Sequence, residues 1–260
     1  MVDYSGHKLG MKPIKPIPND ALRMKAYIPV KNFPVPKEVK LYEQVKSWPM
    51  MKNDVISDCT VASAGHLIQY WTTVSPGTDV VLSDEIIVDA YSKITGYVPG
   101  NPATDNGAYL TDVLEYWKNI GLAGDKITNY IYINHSSEYE VKLATYIFGG
   151  VYAAISLPLT AQTQDVWDVD STAPQYESAV GSWGGHAVPI VGYNDIGPVI
   201  VTWGATKQIT WAFWETYGVQ AGVPLDKDWL NKKNVTPFHL TWDNLIQDIT
   251  TNLYLNPSQS

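Results

Sequence analysis

A single cysteine, Cys59, in 260 residues excludes an internal disulfide framework and makes a reducing compartment such as the cytoplasm the simpler expectation. No apolar run reaches eighteen residues, and the first thirty residues hold no unbroken apolar stretch, so neither a membrane span nor a signal peptide is expected. Positive charge is scarce. Eighteen Lys and Arg face 26 Asp and Glu, net −8, which argues against a general nucleic-acid binder. One cysteine and five scattered histidines form no ligand set, and no glycine loop has the strand-to-helix form of a phosphate cradle. No metal and no cofactor are therefore expected. Internal repeats, low-complexity tracts and heptads are absent too.

What is present describes a packed globular protein: 45% hydrophobic and 12% aromatic residues, among them ten tryptophans that suit a core better than a sugar site. The charge is unevenly placed. Residues 1–52 carry ten Lys and Arg against four Asp and Glu, leaving eight against 22 for the rest. Six prolines between 11 and 36 make this an extended arm with at most short edge strands. A basic arm beside an acidic body is expected to dock on it, the alternative being an acidic partner elsewhere. Residues 41–48 suit a short helix or strand.

The stretch 53–73, NDVISDCTVASAGHLIQYWTT, organises the chain. Val61, Ala64, Ile68 and Trp71 mark one helical face, and Ala62, Leu67 and Tyr70 widen it, so a buried helix should run from Cys59 to about Ser75-Pro76-Gly77. Asp58 is placed to cap it through its carboxylate. The field of the helix N-terminus would favour the Cys59 thiolate, although a lone cysteine is also common as inert core. Further helices are expected from Ser83 to Gly96, about 108–119 and about 137–148, each with a cap or glycine stop. After Gly149-Gly150 the pattern changes to strands: 151–157, 186–193 and 198–203, the last two joined by the turn Asn194-Asp195-Ile196-Gly197. Helical signals return at 225–231 and 242–253. A helical first part and a stranded second part describe an α+β protein of two lobes with a cleft between them.

A nucleophilic thiol needs a base. His66 lies on the Cys59 face of the same helix but about 10 Å along it, and His7, His135 and His239 have no evident route to the sulfur. His186 follows Gly184-Gly185 and opens an apolar strand in the other lobe, where it can face the helix start across the cleft, or equally bond a turn as a strand-end histidine.

With Cys59 and His186 in place, residues 50–215 resemble the papain-like cysteine peptidases. LSDEIIVDAY (82–91), DNGAYLTDVLEYWKNIGL (105–122), GGVYAAISLP (149–158) and GGHAVPIVGY (184–193) with a following VTWG (201–204) keep that family's order of landmarks, and 127 residues separate Cys59 from His186. The chain also resembles uncharacterised phage and bacterial members. The resemblance implies a helical lobe (53–150) holding the cysteine helix, behind an N-terminal arm (1–52). It implies an antiparallel, β-barrel-like lobe (151–260) holding the histidine, with the active cleft between. It further implies Cys59 as nucleophile, His186 as base and Asn53 in the oxyanion position six residues before the cysteine. The family's orienting asparagine is replaced, by Val201 counting from the Trp and by Thr202 counting from the histidine, and the Thr202 hydroxyl could take its place. Asn106 and Gly107 would form one wall of the cleft, Trp183 and Trp203 the other. Departures from the family pattern are Asn53 for glutamine, Asp58 beside the thiol, Thr202, and an arm too short for the usual inhibitory propeptide.

The expected function is a thiol hydrolase, a cysteine peptidase acting on a peptide or protein. The alternative is a weak or inactive papain-like fold with a structural or binding role, as in a phage particle with virion partners; peptidoglycan amide cleavage is a third.

Overall fold

In a computed structural model of the chain, residues 3–24, 34–75, 77–230 and 236–237 are described. The expected segment 242–253 and His239 lie outside the described residues.

Three helices pack together on one face of the sheet and a fourth packs on the other. α1 (Cys59–Val74) is buried at every residue from Cys59 to Thr72 and packs chiefly on the sheet. Hydrogen bonds lock it at both ends: Tyr152 Oη donates to the Thr60 carbonyl (2.7 Å) and Trp71 Nε1 to the Gly149 carbonyl (2.8 Å). α2 (Asp84–Thr95) starts where Ser83 Oγ accepts from the Ile86 N–H and stops at Gly96, whose φ of 79° only glycine adopts without strain. α3 (Leu110–Asn119) buries Leu110, Val113, Leu114 and Trp117. α4 (Glu138–Phe148) is capped by Ser137 and closed by Gly149.

The sheet combines β1 (Asn129–Tyr132), β2 (Val151–Leu157), β3 (Gly184–Tyr193), β4 (Pro198–Thr202), β5 (Ala205–Gln208) and β6 (Gly218–Leu225). All neighbours are antiparallel, in the order β1-β6-β2-β3-β4-β5. β1 and β5 end the order without pairing each other, so among the described residues this barrel-like sheet stays open; single bridges at Arg23 and Trp167 cover its two edges. Pro189 is tolerated in central β3 because the pairing with β4 slips just beyond it, between Ile190 and Gly192. α5 (Gln175–Ser178) and α6 (Trp211–Tyr217) complete the elements, with a 3-10 turn at Leu41–Gln44 and another at Lys227–Trp229. The helical signal at 225–231 is thus mostly the end of β6 and that short turn.

Two apolar clusters form the core, one around α1 and one behind the sheet. The cysteine helix and β3 meet between them.

Candidate active site

Cys59 opens α1 and His186 is the third residue of β3, and both are fully buried. The Ala187 N–H donates to Cys59 Sγ at 3.4 Å, so the sulfur lies against the β3 backbone next to His186, 127 residues away in sequence, and among the described residues no hydrogen bond joins the sulfur to the imidazole. His186 Nε2 lies 2.7 Å from Thr202 Oγ1. Its other nitrogen, Nδ1, is buried without a partner among the described residues. An imidazole whose Nε2 proton is donated to Thr202 keeps Nδ1 bare, the form that can take a thiol proton.

Trp203 stacks on the His186 ring with centroids 4.7 Å apart and 20° between planes. Its backbone explains how. Trp203 and Gly204 are the two-residue turn between paired Thr202 and Ala205, with φ of 45° and 73°. A two-residue turn of this type, I′, has positive φ at both positions, which asparagine or glycine supplies cheaply and tryptophan only at about 1–2 kcal/mol. The strain is accepted where the indole covers the histidine, as strained residues commonly are at functional sites. Trp183 joins this aromatic wall, 5.6 Å from Trp203.

On the opposite wall, Asn106 and Gly107 line a groove of about 420 Å³ together with Trp183, Gly184 and Gly185. A network not foreseen from the sequence holds that wall: the Asp105 carboxylate accepts from the Ser57 N–H (3.0 Å) and from Tyr91 Oη (2.8 Å), and Tyr91 Oη accepts from the Gly107 N–H (2.9 Å). Asp105 adjoins the expected Asn106, but nothing in its own position announced a bond to residue 57. Asn53 is buried in the turns before α1 with Oδ1 unpartnered, and among the described residues no hydrogen bond joins its side chain to Cys59.

Two expectations need correction. Asp58 occupies the N-cap position of α1, but its side chain caps nothing: the Val61 and Ala62 N–H groups bond the Asp58 main-chain carbonyl, and both carboxylate oxygens are buried without partners among the described residues. Burial first, then the charge of Asp105, holds this carboxyl well above the usual range. Nor does the helix field make a thiolate in this state. Burial pushes the Cys59 thiol from 9.0 to about 12, against which the Ala187 N–H acts only in part. That rise corresponds to about 4 kcal/mol against ionisation, while a helix N-terminus returns about 0.3–2 kcal/mol. Burial likewise takes His186 down to about 3. Both the thiol and the imidazole are therefore neutral in this state.

The cover that buries them is the chain's own N-terminal arm. Gly10 packs on the Ser57 backbone so tightly that a Cβ would collide with the Ser57 carbonyl, and its N–H is directed at the Cys59 sulfur. The Met11 N–H donates to the Gly185 carbonyl (3.1 Å), the Lys12 N–H to the Ala108 carbonyl (2.9 Å), and the Ala108 N–H to the Gly10 carbonyl (2.9 Å). Further back, Tyr4 stacks on Trp203 at 4.9 Å and His7 lies 5.0 Å from it. The basic arm does dock on the acidic body: Lys15 pairs with Asp112 at 2.5 Å and lies over the Tyr109 ring. The sequence pointed to docking but not to the groove, since nothing in residues 9–12 marks them as its occupants. His66 is a satisfied core residue, bonded through Nε2 to the Pro49 carbonyl at 2.9 Å.

No protein-family profile and no curated protein sequence matches the chain. Solved structures do. Xylellain, a cysteine protease from Xylella fastidiosa, superposes with a TM-score of 0.64 at 14% identity, over 85% of this chain and 97% of that one. Digestive procathepsin L 3 of Tenebrio molitor larval midgut gives 0.58 at 16% identity, over 85% and 77%. The Carica candamarcensis cysteine protease CMS1MS2, in complex with E-64, gives 0.55 at 13%, over 74% and 99%. At these identities the likeness is one of fold, and the fold is the two-lobed papain-like one.

Proposed function

We propose that the chain is a thiol hydrolase of peptide amide bonds, held latent by its own arm. The observation that carries this is the arm itself: residues 10–12 are bonded through their main chain to Gly185 and Ala108, over the sulfur. A groove that grips one extended backbone by its amides and carbonyls suits another of any sequence, which is what a peptidase substrate offers. With the arm displaced, water reaches the site and the penalty on both charged forms falls. Cys59 then attacks the scissile carbonyl and His186 Nδ1 takes the thiol proton, later delivering it to the leaving amine. The Cys59 N–H and the Asn53 amide bind the oxyanion. Thr202 orients His186, Trp203 keeps water from that bond, and Asn106, Gly107 and Trp183 line the substrate strand. In this reading the arm is the inhibitory segment.

An epoxide thiol probe of the E-64 type tests it. Cys59 should be labelled in the arm-displaced variant Gly10→Val, and labelling should fall at least about tenfold on adding His186→Ala, since removing a general base costs about 10²–10⁴. A Gly10→Val protein that is folded, has an accessible thiol by iodoacetamide, and still resists the epoxide would sink the hydrolase reading.

One observation favours a second reading, a papain-like fold kept for binding or structure, as in a phage particle. The buried Asp58 carboxyl beside the sulfur resists thiolate formation as long as it is charged. Under that reading Cys59→Ala leaves partner binding intact and no peptide is cleaved by any variant.

A further inference from the structure

Away from the groove, three carboxylates far apart in sequence share one small volume. Asp125, Asp226 and Asp228 each offer an oxygen, and these atoms all lie within 4.8 Å of one another. Asp125 follows a tight turn in which Leu122 and Asp125 exchange both main-chain hydrogen bonds (2.8 and 2.9 Å), with Ala123 and Gly124 at φ of 53° and 89°. Trp117 Nε1 donates to Asp125 Oδ1 at 2.7 Å and fixes the orientation of that carboxylate. Asp226 caps the turn Lys227–Trp229, its Oδ1 accepting from the Asp228 N–H at 2.7 Å.

The unexplained atom is Asp226 Oδ2. Asp226 is only 5% exposed, yet this oxygen has no donor among the described residues. Nor does any lysine or arginine there pair with the three acids. Lys126, which lines the same hollow, donates instead to the Asn119 carbonyl at 2.7 Å. The hollow encloses about 370 Å³ beside all three carboxylates, room for an ion and its waters.

We propose that Asp125, Asp226 and Asp228 bind a hard divalent cation of the calcium type, with water completing the coordination. Three carboxylates without a nitrogen or sulfur donor suit calcium rather than zinc or copper. The ion would tie the loop after α3 to the chain leaving β6, the segment that carries Trp229. That indole is buried, lies 5.5 Å from Tyr70 of α1 and donates to the Ile147 carbonyl at 2.9 Å, so clamping its base steadies the seam between α1 and the sheet.

The test is thermal unfolding of the full chain, first stripped with EDTA, against calcium chloride up to about 10 mM at constant ionic strength. A site with a dissociation constant of about 0.1–1 mM should raise Tm by about 3–10 °C. Terbium(III), bound in calcium's place, should luminesce when Trp117 is excited. Both signals should be lost in Asp226→Asn and in Asp228→Asn; the second removes a half-exposed carboxylate, and its fold is checked by an unchanged Tm in EDTA. A Tm that responds to calcium no more than to sodium chloride at matched ionic strength, or a response kept in both variants, overturns the proposal.

Discussion

Substituting Gly10 is the sharpest way to ask whether the arm holds the thiol latent. A Cβ at this position runs into the Ser57 carbonyl carbon and oxygen, and Ser57 cannot retreat, because its N–H is held by the Asp105 carboxylate. The arm must therefore yield. Forcing extra methyl groups into a filled site costs about 1–3 kcal/mol. Charged to the closed state alone, that raises the open fraction about 5- to 150-fold, since each 1.4 kcal/mol is a factor of ten. The readout is direct, because Cys59 is the only thiol. Alkylation by iodoacetamide at about pH 8, followed by intact mass, measures the open fraction multiplied by its thiolate fraction. Gly10→Val should accelerate it by the factor above, Gly10→Ala less, and deletion of residues 1–12 at least as much. Because only the open form reacts, the intact protein and the open variants should share one pH profile, climbing with pH and levelling near the ordinary thiol pKa of about 8.5, and should differ in height alone. A folded Gly10→Val protein, unchanged in Tm, that reacts within twofold of the parent would refute the latch.

Other expectations concern the groups beneath the arm. Asp58 has its carboxyl raised by burial, so the stability it contributes is complete below its ordinary pKa of 3.8 and is lost as pH rises through the raised value. Asp58→Asn removes the buried acid and forfeits no cap bond; it should stabilise by about 1–3 kcal/mol at pH 7, a gain that vanishes near pH 4, and an equal or lower Tm at pH 7 contradicts this account. Thr202→Val leaves His186 Nε2 buried without an acceptor, at about 1–3 kcal/mol of stability. In the Gly10→Val background it should also lower any peptide turnover by about tenfold or more, while Thr202→Asn retains it; equal turnover in all three removes the orienting role.

Much of the helix content was legible because its signals are local. Ser83, Ser137, Gly96 and Gly149 act within one turn of their own backbone, so α2 and α4 begin and end where the residues indicate. β2 and the β3–β4 hairpin were readable for the same reason: unbroken apolar runs around Asn194-Asp195-Ile196-Gly197. β1 and β5 have four residues each, and β6, GVQAGVPL, carries two glycines and a proline; they are strands only because neighbours pair with them. α6, WAFWETY, likewise draws on packing behind the sheet.

The site divides along the same line. The residue types in their order along the chain determined that a thiol would start the buried helix, that an imidazole would open a central strand, and that Thr202 and Trp203 would follow it. Sequence spacing cannot state what lies on top of a site or how charged it is. Only the folded chain decided that Gly10 would cover the sulfur, that burial would outweigh the helix field at Cys59, that Asp58 would cap nothing, and that Asp125 would meet Asp226 across a hundred residues. Each of these depends on which surfaces exclude water from a given atom, and that is a property of segments packed together from distant parts of the chain.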